Sequence, residues 1–573
     1  MAIPLRRLRS VEHSRGAQSP RIRVADMVVK TLTELGVDTF YGIPGGAIAS
    51  VYDALLDQSG IRIINTRHET GALFAAMGQS RIGGSLPCVL TTAGPGVTNA
   101  ITGLAAAHAD GVPLIVIAGE VPRKHFGRGA LQEGSRHTLD VLSMVRSVTK
   151  LAAEITNPRA TATLVRKAVA TALSGRQGPV FLSLPLDVAA EKVPLTKTSS
   201  QVSTHFALDE ETLDHAADAL QSAERGVIFV GSGARHPEAV RWIGLLASTL
   251  QMPVISTPKG KGIFPESDPL ALGVFGLGGH PSAVEYLEGG VDTVLCVGSS
   301  LGETSTNGWS PLLQPSSHLV QVDIDAGQIG KNYHVDYGLV GPAHVMLAEL
   351  AKRLRRRPEP AADVSGIRHY EGEALLQDTS PLRHARAVRL LQEVAPGDTT
   401  FTCDIGEHTI FAVHYLQAER PDAFLLHSGL ASLGSGVGAA VGAKLARPDT
   451  PVVALCGDYG FQMYGMELAT CVHHRIGAVF AVFNDARMRM VESGLIKIFG
   501  RSGVMHSHRV DFAAMARSMG AVGYAVRSAD DFHRLPPDIW HSDLPVVLDL
   551  YIDPASAFPV NGRVAQIRNF SAD

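Results

Sequence analysis

Short runs rich in Val, Ile and Leu, each closing on Gly, Asp or Ser, recur along the chain and are separated by longer stretches that read as helices. That alternation predicts parallel sheets with crossover helices, whose strands are buried on both faces and so appear as continuous apolar runs. The runs fall into three blocks. The first predicts strands at 38–42, 61–66, 88–92, 114–119 and 180–185, and the second at 226–231, 254–257, 293–298 and 319–325. The third predicts them at 400–406, 423–428, 452–458, 478–485 and 546–552. Two linker-like segments part the blocks: 191–205, rich in Lys, Ser and Thr, and 352–380, which opens on a basic cluster at 353–357 and continues through prolines and acidic residues. The predicted fold class is α/β, with three doubly wound parallel-sheet domains at 23–190, 206–352 and 380–560, a flexible N-terminal arm at 1–22 and a C-terminal tail at 561–573. Ligands of such sheets gather at the carboxyl ends of the strands, which is where this sequence puts its glycines.

Composition narrows the classes of function. The chain has 573 residues, 51 Lys+Arg against 55 Asp+Glu, a formal net charge of −4, 45% hydrophobic and 18% charged residues. This is the profile of a soluble globular enzyme; a dedicated polyanion binder would be far more basic, so nucleic acid is excluded as a partner. No apolar run reaches the roughly 18 residues of a membrane span, 476–483 being among the longest, and no membrane partner is expected. Five cysteines, Cys88, Cys296, Cys403, Cys456 and Cys471, sit singly in or beside apolar runs, without the spacing of a disulfide framework or zinc site. They read as core residues of a cytoplasmic protein. Residues 1–23 hold six arginines and one acidic residue, but no apolar stretch for a secretory signal. They read as a disordered arm, with a transit peptide as the alternative.

The strongest local motif is Cys456-Gly457-Asp458-Tyr459-Gly460, which closes one predicted strand, followed by Phe483-Asn484-Asp485-Ala486-Arg487 at the end of the next. A right-handed strand-helix-strand unit sets such strands beside each other and both carboxylates at one edge. Two hard oxygen ligands and a following carbonyl suit magnesium on a phosphate, with a helix from about Phe461 turning its free amides the same way. Taken singly, Asp458 also reads as a helix cap and Asp485 as a turn residue. Arg67-His68-Glu69 leads into a run of small residues. A carboxylate in so apolar a setting is expected to have a raised affinity for protons and to exchange one with a ligand nitrogen, although an ordinary helix-start Glu is the competing reading. Gly-rich loops at 42–46, 93–99 and 428–434 each follow a strand and serve either ligand approach or packing.

With these motifs in their order and spacing, the chain resembles the thiamine-diphosphate-dependent acetohydroxyacid synthase (acetolactate synthase) large-subunit family over nearly everything after residue 22. The matching stretches include YGIPGGAI at 41–48, RHE at 67–69, TTAGPGVTNAITG at 91–103, ADGVPL at 109–114 and GALQE at 129–133. Further matches are SGRQGPV at 174–180, KGKGIFPE at 259–266, GLASLGSGVGAAVGAK at 429–444 and GDYGFQM at 457–463. The resemblance implies pyrimidine-binding, central and diphosphate-binding domains, with active sites shared between the subunits of a homodimer or homotetramer. It implies thiamine diphosphate and Mg2+ as cofactors, and a 2-oxo acid such as pyruvate that loses carbon dioxide and yields its acyl unit to a carbonyl acceptor. Glu69 is implied to face the aminopyrimidine ring; Asp458, Asp485 and the main-chain oxygen of Arg487 to hold magnesium; and Leu433 to prop the cofactor in a bent form. Gln132, Gly45 and Gly46 are implied to line the reacting centre. Thr92, Pro95 and Asn99 from the first domain are implied contacts of the cofactor. So are Gly406, Glu407, His408, Gly429, Ala431, Gly457, Tyr459, Gly460 and Met488 from the third.

The sequence departs from the family in informative places. Gly457-Asp458-Tyr459 stands for a Gly-Asp-Gly, which is tolerable if Tyr459 is not left-handed, and Asn484-Asp485 stands for an Asn-Asn pair. At 297–304 the family's Arg-Phe-Asp-Asp-Arg segment is missing, and Ser300 aligns with the Arg that clamps the carboxylate of the acceptor. Gly494 falls where the family has a pocket-narrowing Trp. Both changes imply a wider, less cationic acceptor site, and an aldehyde or ketone acceptor in place of a second 2-oxo acid. Loss of the same segment leaves FAD open, with Gly231-Ser232-Gly233 and 322–325 as remaining nucleotide contacts. A simple 2-oxo acid decarboxylase is the runner-up. A serine hydrolase, from the Gly298-Ser299-Ser300-Leu301-Gly302 pattern, and a non-catalytic homologue are lesser alternatives. Among the histidines, His68 is read as supporting the Glu69 turn and His408 as lying by the diphosphate. His473 and His474 are read as surface residues, and His125, His280 and His506 as candidates to face the acceptor.

Overall fold

The computed structural model describes residues 20–195, 208–357, 376–503, 505–555 and 559. The tail at 561–573, residues 1–19 of the arm, 196–205 of the first linker and 358–375 of the second therefore lie outside the described residues.

In the first domain β1 (Arg21–Arg23) leads into the helix Val24–Glu34. There follow β2 (Thr39–Gly42), β3 (Arg62–Asn65), β4 (Cys88–Thr91), β5 (Leu114–Glu120), β6 (Leu151–Glu154) and β7 (Pro179–Pro185), which form a parallel sheet in the order 3-2-4-5-7-6. β8 (Lys192–Pro194) returns antiparallel to β1, so the last residues of the expected arm and the first of the expected linker form a small ribbon. The second sheet comprises β9 (Gly226–Val230), β10 (Val254–Ser256), β11 (Ala271–Val274), β12 (Thr293–Val297), β13 (His318–Asp323) and β14 (Tyr337–Val340), in the order 11-10-9-12-13-14. The third comprises β15 (Thr400–Cys403), β16 (Phe424–Leu426), β17 (Val452–Gly457), β18 (Val479–Asn484), β19 (Val522–Val526) and β20 (Val546–Tyr551), in the order 16-15-17-18-20-19. All three are parallel throughout, with helices as crossovers.

Four of these strands, β6, β11, β14 and β19, are absent from the predicted set, and each lies at a sheet edge. β6, β14 and β19 are only partly buried, so the double-sided burial that produces a continuous run is absent there.

Strand order determines where the sites sit. Counted from its own first strand, each outer sheet has the order 2-1-3-4-6-5, and the chain's direction of travel reverses between its first and third strands. In the first domain these are β2 and β4, followed by the loops at 42–46 and 92–99; in the third they are β15 and β17, followed by 404–408 and 457–460. In the middle sheet, 3-2-1-4-5-6 in the same count, the reversal falls between β9 and β12. Crevices open outside the carboxyl ends of strands at such points. The Gly-rich motifs occupy all three.

The outer domains are joined by two helices of small residues, Glu69–Gly83 and Ser435–Ala446, almost wholly buried. They meet backbone to backbone. A Cβ at Gly442 would lie 1.7 Å from the Ala75 carbonyl oxygen, and one at Gly78 would lie 2.1 Å from that of Ala439. One hydrophobic core, including Phe74, Met77, Val437 and Val441, continues through the seam from one domain into the other.

Gly442→Val should cost about 3 kcal/mol or more, since neither backbone can retreat. Gly244→Ala, inside the helix Pro237–Leu250 with open space around it, should instead gain roughly 0.5–1 kcal/mol. Thermal unfolding of the two variants beside the parent checks both signs; an unchanged midpoint for Gly442→Val would show that the seam is not a tight contact.

Candidate functional site

The first group of candidate residues assembles at the ends of β2 and β4. His68 caps the helix Glu69–Gly83, its Nδ1 accepting the Thr70 N–H at 3.1 Å, and so starts that helix at Glu69. Glu69 is 6% exposed, and its Oε2 accepts a hydrogen bond from Asn99 Nδ2 at 3.1 Å. Asn99 lies on the helix Pro95–Asp110, where Pro95 occupies the first turn. Thr92 Oγ1 donates to Gln132 Oε1 at 3.4 Å. Gly45 lies against Thr92, its missing Cβ only 2.6 Å from that hydroxyl, whereas Gly46 has nothing within 4 Å. The structure thus gathers Glu69, Asn99, Pro95, Thr92, Gln132 and Gly45 at one sheet edge.

The second group assembles in the third domain. β17 and β18 are hydrogen-bonded neighbours, so Asp458 and Asp485 leave the same edge. The helix Asp458–Tyr464 begins at Asp458 itself, three residues before the expected start, because its carboxylate Oδ1 accepts the Tyr459 N–H at 2.8 Å. Tyr459 is helical and not left-handed. Asp458 Oδ2 accepts the Ala486 N–H at 2.7 Å, and Asp485 Oδ1 accepts that of Arg487 at 3.1 Å. Burial, and then the charge of Asp485, push the Asp458 carboxyl up to about 7. Burial pushes Asp485 up to about 6 against the Arg487 N–H and the nearby arginines. Both values are those of acids crowded together out of water, a donor set that a hard divalent cation satisfies.

Around this pair the loops are tightly fastened. Asp404, fully buried at the end of β15, accepts the Gly434 N–H on Oδ2 at 2.8 Å and the Gly436 N–H on Oδ1 at 3.2 Å. A Cβ at Gly460 would lie 2.1 Å from Asp404 Oδ2, so the helix Asp458–Tyr464 can pass this carboxylate only with a glycine there. Gly406 precedes the helix Glu407–Tyr415, and burial holds His408 down at about 4, its Nε2 paired with the Asp404 carbonyl at 3.1 Å. The His408 ring lies 3.4 Å from where Gly457 would carry a Cβ. Glu407 is buried and pushed up to about 8, opposed chiefly by Arg489, whose Nε lies 3.2 Å from Oε2. His384 Nε2 is 3.9 Å from the same oxygen. Met488 caps the helix Arg489–Phe499 and donates its N–H to the Met505 carbonyl at 2.9 Å. Leu433 lies half-buried in the loop at 428–434, in which Ala431 adopts φ 56°.

Sequence reasoning missed three anchoring groups. Asp110, with a 3% exposed side chain, accepts from Lys259 Nζ of the second domain at 3.1 Å and from the Gly429 N–H of the third at 3.1 Å. All three domains meet on this one carboxylate. Glu467 and Arg489 are the others. None carries a local signal, because each looks like an ordinary helix residue until its partner from another part of the chain is known.

A cavity of about 1950 Å3 lies at the switch point of the middle sheet, walled by all three domains. Ser300 and Gly494 both line it, together with Gly231–Gly233, Asp323, Gly406 and Ala431. Ser300 is not on a nucleophile elbow: the segment after it is a 3-10 turn, Glu303–Ser305, where a hydrolase would have a helix. His280 does not face an acceptor site either, since it is 1% exposed and its ring binds the Val274 N–H and the His414 carbonyl. His474, expected at the surface, accepts the Asn65 N–H on Nε2 at 3.0 Å. No hydrogen bond or ion pair joins Glu69 to the Asp458 group within the chain, among the described residues.

Comparison with known proteins agrees with this architecture. Residues 22–141 match the thiamine pyrophosphate enzyme N-terminal TPP binding domain, 213–350 the central domain and 404–550 the C-terminal TPP binding domain. A probable acetolactate synthase large subunit of Methanocaldococcus jannaschii is 33% identical over 95% of this chain and 94% of its own. The acetolactate synthase of Mycobacterium bovis is 31% identical over 92% of this chain and 88% of its own. The acetolactate synthase isozyme 3 large subunit of Escherichia coli is 30% identical over 88% and 89%. With all three domain models in sequence order and relatives that run nearly end to end, the chain belongs to the thiamine pyrophosphate enzyme family.

Proposed function

We propose that this chain is a thiamine-diphosphate- and magnesium-dependent carboligase of the acetolactate synthase type, which decarboxylates a 2-oxo acid such as pyruvate and passes the acyl unit to a carbonyl acceptor. The observation that carries the reading is the pair of buried acids, Asp458 and Asp485, which leave the neighbouring strands β17 and β18 at one edge of the third sheet, both with proton affinity raised by burial. Asp458, Asp485 and the Arg487 carbonyl would hold magnesium at the diphosphate, with Gly406, His408 and Gly460 bordering it. Glu69, steadied by Asn99, holds a proton at the aminopyrimidine ring. Leu433 fixes the bend of the cofactor, and Gln132, Gly45 and Gly46 border the reacting carbon. When bound, thiamine diphosphate supplies the carbon nucleophile. We place the three domains at 23–190, 206–352 and 380–560.

A shared active site is supported by the surface. Leu131, beside Gln132, is 88% exposed, Phe499 66% and Met463 57%. Apolar side chains of this size next to a site mark a face covered by another copy of the chain, in a cytoplasmic dimer or tetramer. Flavin is left open, because the segment through which many relatives partly hold it is missing at 297–304; a yellow protein after purification would show it. Ser300 and Gly494 face one cavity, which favours a wide acceptor site and an aldehyde or ketone acceptor.

Asp458→Ala should weaken magnesium-dependent binding of thiamine diphosphate by roughly a hundredfold or more, whereas Asp485→Asn, which keeps an oxygen ligand, should retain it. Calorimetric titration reads both, and unchanged affinity in Asp458→Ala would remove the metal assignment. Given pyruvate and a panel of carbonyl acceptors, the protein should form more aldehyde or ketone adduct than acetolactate, as read by mass spectrometry. Acetolactate formed from pyruvate alone faster than any adduct would refute the acceptor reading, and free aldehyde as main product would make the protein a decarboxylase. Light scattering should give at least twice 60.7 kDa; a fully active monomer would contradict the shared site.

A further inference from the structure

The turn that carries Glu69 is held from outside its own domain. Residues 65–68 leave β3 and reach Glu69 without a regular element around them, yet their backbone is engaged by one face of the helix Glu467–His474 from the third domain. Glu467 is 2% exposed. Its Oε1 accepts the N–H groups of Arg67 and His68, both at 3.0 Å, and its Oε2 accepts the Arg67 N–H at 3.2 Å and the Thr470 hydroxyl at 2.7 Å. Thr470 also donates to the Asn65 carbonyl at 3.3 Å, and His474 Nε2 accepts the Asn65 N–H at 3.0 Å. Positions 467, 470 and 474 are spaced to lie along one helix face, and that face reads the backbone of the strand end in register. Gly71 makes the approach possible, since a Cβ there would stand 2.3 Å from Glu467 Oε1.

A carboxylate removed from water is costly unless its oxygens are fully bonded, and backbone N–H groups accepted by a charged group are the stronger kind of hydrogen bond. Here both oxygens are spent on the two residues immediately before Glu69. The preceding helix adds an edge contact between the Tyr464 and His68 rings, with centroids 5.7 Å apart.

We infer that Glu467 is a positioning residue for the reaction: it fixes the 65–68 backbone so that Glu69 presents its carboxylate to the aminopyrimidine ring. The inference rests on the reading of Glu69 given above. It ties the acid of the first domain to the helix that begins nine residues after Asp458, so within one chain the acid that serves one active site is registered against the metal group that serves the other. Small displacements of a catalytic group cost rate far more than they cost binding.

Glu467→Gln keeps the shape but turns an amide donor toward N–H groups, and it is the variant to test, with Glu467→Asp beside it. In the full-length protein without added cofactor, amide hydrogen exchange over residues 65–70 should quicken at least about tenfold in Glu467→Gln, with the core strands unaltered. At saturating thiamine diphosphate and magnesium, kcat for carbon dioxide release from pyruvate should fall at least about tenfold, with KM and the calorimetric cofactor affinity within about twofold of the parent. Glu69→Gln combined with Glu467→Gln should be no slower than Glu69→Gln alone, because both act through one turn. Unchanged exchange, an unchanged kcat or additive losses would overturn the inference. A Glu69→Gln single variant with parental activity would overturn the reading of Glu69 instead, and the exchange data would still show whether Glu467 holds the turn. If Glu467→Gln does not fold, Glu467→Asp carries the same comparison.

Discussion

The seam between the helices Glu69–Gly83 and Ser435–Ala446 is the constraint on which the rest of the molecule depends. Because Gly78 and Gly442 let two backbones touch, the first and third domains share one core, and their relative position is set by contact between rigid chains. Everything placed at the ends of those helices inherits that accuracy. Glu69 begins one helix; the loop that holds Leu433 leads into the other. Asp110 then pins the same loop to the middle domain through Gly429 and Lys259. A close-packed interior transmits displacement instead of absorbing it, so these fastenings act as one frame.

Within that frame the chemistry is a problem of charge. Asp404, Glu407, Asp458 and Asp485 are all buried in one region of the third domain, and burial raises the proton affinity of every one. Asp404 is satisfied by backbone N–H groups. Glu407 is opposed by Arg489, and Asp458 and Asp485 accept backbone N–H groups yet keep raised proton affinities, Asp458 in part through the charge of Asp485. Such a set is poorly compensated by the protein alone and suited to a divalent cation, which lowers all nearby carboxyls at once. In the first domain the neighbours of Glu69 are of another kind: Asn99, Thr92 and Gln132 are neutral groups fit for a heterocyclic ring. The two clusters are thus matched to opposite ends of a molecule with an anionic tail and a nitrogenous head.

Much of this was legible in the sequence because doubly wound sheets print their interior strands as apolar runs and their ligand loops as glycines. The strand ends at Asp458 and Asp485 could be paired from their spacing alone. Edge strands such as β6 and β14 escaped because water on one side removes the run. The start of the helix at Asp458 escaped because a side chain bonding its own neighbour's N–H is invisible to periodicity. Glu467, Asp110 and Arg489 escaped for a different reason: their partners lie far along the chain, 400 residues away for the bond from the Arg67 N–H to Glu467. A helix-start glutamate that fastens another domain has the same sequence appearance as one that faces solvent.

On the proposed reading, Glu69 and the Asp458–Asp485 pair grip opposite ends of the same thiamine diphosphate, the two grips coming from different copies of the chain. A crystal structure with thiamine diphosphate and magnesium tests it most directly. Magnesium should be bound by Asp458, Asp485 and the Arg487 carbonyl of one subunit, with the Glu69 carboxylate of the other within hydrogen-bonding distance of the aminopyrimidine ring. An empty cleft under saturating cofactor, or a bound cofactor with Glu69 remote from its ring, would contradict it.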